Sequence, residues 1–147
     1  MSIKITVTSD LHGKLPLINP CDLLIIAGDI TPGGDIRKQA LFLDTTFRYY
    51  FENIQARNII YIAGNHDTIF QKAPELVPQD LKATYLQDSM VEIFGFKVYG
   101  TPWQLPFYGA FNASEQQLKS MYDKIPSCDM LISGCVEKFT SQIGQKT

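Results

Sequence analysis

The 147-residue chain has only two histidines, His12 and His66, and only three cysteines, Cys21, Cys128 and Cys135. The cysteines are odd in number and lack the close pairing of a zinc knuckle, which argues against a structural zinc or a disulfide framework; three reduced thiols are expected. No basic run disturbs the balance of 13 Lys+Arg against 15 Asp+Glu. The electrostatic footprint of a nucleic-acid or acidic-membrane binder is therefore missing, and neither partner is expected. The longest apolar runs fall far short of a membrane span, and Met1-Ser2-Ile3-Lys4-Ile5 reads as the start of a strand, not as a charged and then apolar leader. A soluble, unexported, cytoplasmic protein is the expectation. Gly33-Gly34 is not followed by Lys-Ser or Lys-Thr, so it is no phosphate loop, which weakens the case for a flavodoxin-type nucleotide domain.

At 45% hydrophobic, a chain of this length can bury one core without covalent staples. Ile3, Ile5 and Val7 alternate with polar residues at the period of a strand. Leu23 to Ala27 is an unbroken apolar run, the form taken by a strand covered on both faces. Ile36, Ala40, Leu43, Phe47, Tyr50, Phe51 and Ile54 recur at helical steps behind the N-cap candidate Asp35, predicting an amphipathic helix of about five turns. Ile59 to Ala63 follows as a third strand, giving a βαβ unit with a right-handed crossover. Gln71 to Gln79 reads as a loop or short helical turns, and Thr84-Tyr85-Leu86 as a short strand. Val91 and Ile93, then Phe96, Val98 and Gly100, alternate around Phe94-Gly95 as a β-hairpin. Ser114-Glu115-Gln116-Gln117 is a capping box opening a helix that stops before Pro126, and Met130 to Ser133 is a last strand. From 134 to 147 the chain turns small and polar, with Val136, Phe139 and Ile143 too few for an independent helix.

Three stretches put metal-ligand chemistry just after apolar strands: Asp10-Leu11-His12, Gly28-Asp29 and Gly64-Asn65-His66-Asp67. Strand ends of this kind are where open α/β sheets hold ligands. Two divalent ions about 3.5–4 Å apart can clamp an in-line phosphoryl displacement and make a hydroxide nucleophile. Asp29, alone at the end of a buried strand, suits a bridging carboxylate. Asp10 and His12, two residues apart, can reach one ion together, and Asn65 offers a carbonyl oxygen to another. His66 would face the substrate, stabilising charge or protonating the leaving alkoxide, with Asp67 orienting its ring. Mixed oxygen and imidazole donors suit manganese, iron or zinc better than magnesium or calcium. Trp103, Pro102, Pro106, Phe107 and Tyr108 are candidates to line an aryl- or base-accepting pocket, with core packing as the alternative use.

Asp10-Leu11-His12-Gly13, Ala27-Gly28-Asp29 and Ala63-Gly64-Asn65-His66-Asp67 resemble the first three signature blocks of the calcineurin-like metallophosphoesterase superfamily. Tyr99-Gly100-Thr101-Pro102-Trp103, with Phe111-Asn112 and Ile125-Pro126, is similar to its small phosphodiesterase-like class. The resemblance covers nearly everything from Ile3 to Ser133. It implies an α/β fold, a sandwich of two sheets flanked by helices, with metals at the strand ends and a small-molecule phosphoester as substrate. The implied roles put Asp10 and His12 on one ion, Asp29 between two, Asn65 on the second, and His66 as the acid.

The family pattern continues with a histidine after the last strand and a later Gly-His-x-His block, whereas this chain reads Ser133-Gly134-Cys135-Val136. Cys135 is either a substitute soft ligand or an ordinary thiol. Residues 1–133 are thus expected to form the N-terminal part of the family domain, with 134–147 a divergent tail of truncated or frame-shifted origin. One ion or fewer is expected where the family holds two. Impaired hydrolysis is the first expectation, and a pseudo-enzyme acting through protein contacts is the second. An incomplete second sheet should leave an apolar face open to self-association.

Overall fold

A computed structural model describes residues 2–134. The 134–147 tail, including Cys135, Val136, Phe139 and Ile143, therefore lies outside the described residues except for Gly134. The first sheet consists of β1 (Ile5–Thr8), β2 (Cys21–Ala27), β3 (Ala56–Ile62) and β4 (Thr84–Tyr85), all parallel and in that spatial order. The second holds β5 (Ser89–Ile93), β6 (Phe96–Thr101) and β7 (Met130–Ser133), with β5 antiparallel and β7 parallel to β6. The α/β two-sheet architecture expected from the resemblance is present.

The long helical crossover between β2 and β3 is α1 (Ile36–Phe42), a π-helical segment (Leu43–Phe47) and α2 (Arg48–Asn53). Its extent matches the periodicity, and Asp35 caps it by accepting from the amides of Arg37 and Lys38. The wide turn in its middle carried no signal in the apolar spacing. Leu43, Phe47 and Phe51 are fully buried. With Leu24, Ile26, Ile59 and Tyr61 they fill the core on one face of the first sheet.

The opposite face of that sheet presents Leu23, Ile25, Ile60 and Ile62 to Leu86, Val98 and Ile132. Gly100 on β6 sits where a Cβ would collide with Leu86 and Ile62, so glycine is what lets the two sheets approach. Phe94 and Gly95 both have positive φ (53° and 81°), the backbone required by a tight hairpin turn. Ser114 and Gln117 form the complete capping box of α4 (Glu115–Asp123). A short α3 (Ile69–Lys72) and a 3₁₀ turn (Pro74–Leu76) occupy the stretch read as loop or short turns.

β1 is the least covered strand. Ile5 and Val7 pair in register with Leu23 and Ile25, so they share the face on which the second sheet packs. Among the described residues the second sheet lies over β3 and does not cover them: Ile5 is 39% and Val7 64% exposed. Among the described residues, β7 is also an edge strand, with Leu131 half-exposed.

Candidate metal centre

β1, β2 and β3 run parallel, so their carboxyl ends lie side by side and the loops leaving them form one surface. The loop after β1 continues the ladder along the loop after β2: Asp10 N donates to Gly28 O at 3.1 Å, His12 N to Asp29 O at 2.8 Å, and Gly13 N to Ile30 O at 2.9 Å. This pairing holds Asp10, His12 and Asp29 in the left-handed region, with φ of 55°, 46° and 52°. Non-glycine residues adopt that backbone at a cost and cluster where function requires it. Three of the residues singled out for ligand chemistry share this strain.

The approach of β2 to β3 depends on glycine. A Cβ on Gly64 would strike both the carboxylate and the amide of Asp29. In its absence the His66 amide donates to Asp29 Oδ1 at 3.0 Å. The other oxygen, Oδ2, faces His12 Nε2 at 3.9 Å. The His12 and His66 rings meet edge to face with centroids 4.9 Å apart. One ligand atom from each of His12, Asp29 and His66 lies within 4.8 Å of the others.

Bonds of about 2.0–2.2 Å place two ligands of one ion up to roughly 4.3 Å apart. The 3.9 Å separation of His12 and Asp29 falls inside that span, and nitrogen with carboxylate oxygen is a donor set suited to manganese, iron or zinc. The residues present therefore fit an ion.

The remaining predicted site residues are placed differently. Asp10 is exposed, its carboxylate accepts the Ser9 hydroxyl at 2.6 Å, and it stands outside the three-residue group. Asn65 is pinned: its Nδ2 donates to the Tyr108 carbonyl at 2.9 Å, and Ala110 N donates to Asn65 O at 2.8 Å. A carbonyl only accepts, so this contact fixes the amide orientation and leaves Oδ1 as the atom available to a ligand.

The hydrogen bonds of the Asp67 carboxylate go to backbone amides and not to the His66 ring that it was expected to orient. That carboxylate is buried and accepts from the amides of Ile30 (3.0 Å), Thr31 (2.8 Å) and Gly64 (2.9 Å). It ties the loop after β2 to the loop after β3. Burial holds its carboxyl above the ordinary carboxylate range, against the amides that pull it down. These partners lie 36 and 37 residues away in the chain for two of the three bonds, which no local pattern could reveal.

The aromatic group singled out around Trp103 divides in two. Trp103 donates its Nε1 to Asp88 at 2.8 Å and, partly buried, packs edge to face on buried Phe111 at 5.4 Å at the margin of the core. Phe107 and Tyr108 are exposed, and the Tyr108 ring lies 5.4 Å from that of His66.

The profile of the calcineurin-like phosphoesterase family matches residues 3–144. A UPF0046 protein of Caenorhabditis elegans is 30% identical over 146 residues, covering 85% of this chain and 50% of that protein. The human metallophosphoesterase domain-containing protein 1 is 32% identical over 157 residues, covering 85% of this chain and 46% of its own length. The chain thus spans about half the length of these relatives. No described helix is long and apolar enough to cross a membrane.

Proposed function

The chain belongs to the calcineurin-like phosphoesterase family, and from that premise we propose that it hydrolyses small-molecule phosphoesters with the aid of a divalent ion. The observation that carries the reading is the convergence of His12, Asp29 and His66 at the ends of three parallel strands. His12 and Asp29 would hold the ion, with Asp10 and the free Oδ1 of Asn65 at its margins. Manganese, iron and zinc suit these donors. Such an ion, when bound, makes a water acidic enough to serve as hydroxide near neutral pH and neutralises phosphoryl charge.

The chain's own groups do the rest. The Asp29 carboxylate is held at one oxygen by the His66 amide, which fixes the direction in which its other oxygen points. His66 adjoins this carboxylate and donates a proton to the departing alkoxide, a contribution typically worth 10²- to 10⁴-fold. Asp67 acts as a positioning residue, since it holds the two loops that carry Asp29 and His66. The described cluster supports one ion, not the pair that would clamp both the attacking and the leaving oxygen. We therefore expect slow turnover.

The test is release of 4-nitrophenolate from bis(4-nitrophenyl) phosphate, with manganese and with a chelator in its place. A manganese-dependent rate that falls at least tenfold in His66→Ala, with ion binding retained, supports the reading. Loss of ion binding in His66→Ala would make that residue a ligand instead of the acid.

A further inference from the structure

The segment from Gln104 to Ala113 is a closed loop whose bonds turn inward. Gln104 N donates to Phe111 O at 2.9 Å, and Ala113 N donates to Gln104 O at 2.8 Å. The Asn112 side chain accepts from Phe107 N at 3.3 Å and donates to Gly109 O at 3.1 Å. Phe111 N donates to Gln71 Oε1 at 2.9 Å, anchoring the loop to α3. Its far side is fastened to Asn65 by the two bonds already described, and Gly109, at φ 78°, approaches the Asn65 carbonyl so closely that a Cβ would collide with it.

A loop so thoroughly bonded has no need of two large aromatic rings in water. Yet Phe107 is 87% and Tyr108 64% exposed. Tyr108 is the one with a defined neighbour: its ring is tilted 45° against His66, 5.4 Å between centroids. Because its carbonyl holds Asn65, the position of that ring is tied to the candidate metal centre through one residue.

We infer that Tyr108 is a specificity-determining residue, forming an aromatic platform that selects phosphoesters whose alcohol carries a flat aromatic ring. The inference rests on the proposed phosphoester hydrolysis and names its substrate class. A ring laid against Tyr108 stands beside His66, whose own ring meets that of His12 on the side of the candidate metal centre. Aromatic pairs of this kind favour offset or tilted contact, the arrangement Tyr108 already makes with His66. The chain gains discrimination from a side chain alone: Tyr108→Ala keeps the backbone carbonyl that orients Asn65.

Calorimetry with the full chain and manganese, using phenylphosphonate and methylphosphonate as non-hydrolysable probes, separates the two readings. The phenyl probe is expected to bind more tightly than the methyl probe by about three- to tenfold. Tyr108→Ala should erase that ratio and Tyr108→Phe restore it, with circular dichroism confirming that both variants fold. Both probes binding wild type equally, or a ratio that survives in Tyr108→Ala, would overturn the platform while leaving the hydrolytic reading intact. Binding of neither probe would overturn both.

Discussion

The backbone amide of His66 donates to Asp29 Oδ1 at 3.0 Å, so the residue proposed to move a proton also fixes the carboxylate proposed to hold the ion. The bond exists because Gly64 leaves room for it: a side chain there would occupy the position of the carboxylate.

Asp29→Ala removes the oxygen that faces His12 and the acceptor of the His66 amide. Titration calorimetry with manganese or zinc is expected to show no more than one ion bound per wild-type chain and none in the variant. Gly64→Ala should weaken binding at least tenfold without altering any candidate ligand, because it displaces Asp29. Two tightly bound ions on the wild-type chain would contradict the single-site reading.

Asp67→Ala leaves three buried amides, those of Ile30, Thr31 and Gly64, without their acceptor. At on the order of 1–3 kcal/mol for each unsatisfied group, partly relieved by water entering the gap, the variant should lose about 3–5 kcal/mol of stability. Urea unfolding followed by circular dichroism measures this directly. A loss below about 1 kcal/mol would show that Asp67 does not tie the loops together.

The open face of β1 predicts self-association. Ile5 and Val7 offer apolar surface beside the edge of the first sheet, the combination that edge strands usually avoid. Light scattering over a concentration series is expected to show growth in mass for the wild-type chain and less for Val7→Lys, with stability changed by no more than about 0.5 kcal/mol. A wild-type chain that stays monomeric throughout would mean that this face is not a contact surface.

Much of the fold could be read from residue patterns because its signals are local. The run from Leu23 to Ala27, the seven apolar positions of the long crossover, the Phe94-Gly95 turn and the Ser114–Gln117 box each declare themselves within a few residues, and each forms. The site was legible in part. Asp29, His12 and His66 meet because strand ends in a parallel sheet must lie together, which the order of strand, helix and strand already implies.

What could not be read depends on contacts across long separations or on backbone angles. The positive φ of Asp10, His12 and Asp29 has no signature beyond the modest tolerance of Asp and His for that region. Asp67 and its partners on the β2 loop, Asn65 with Tyr108, and the division of Trp103 from Tyr108 all join segments that are remote in sequence. Apolar alternation in β1 correctly indicates a strand. It does not reveal that, among the described residues, the second sheet stops short of covering Ile5 and Val7.

The most direct measurement is a manganese titration of the full chain in which bound ion and hydrolysis of bis(4-nitrophenyl) phosphate are followed together, in wild type and in Asp29→Ala. Turnover is expected to rise in step with occupancy, to saturate at one ion per chain, and to be absent from the variant. Hydrolysis that is undiminished by chelator, or no hydrolysis from wild-type chain saturated with manganese, would contradict the proposal that an ion held by His12 and Asp29 makes this chain a phosphoesterase.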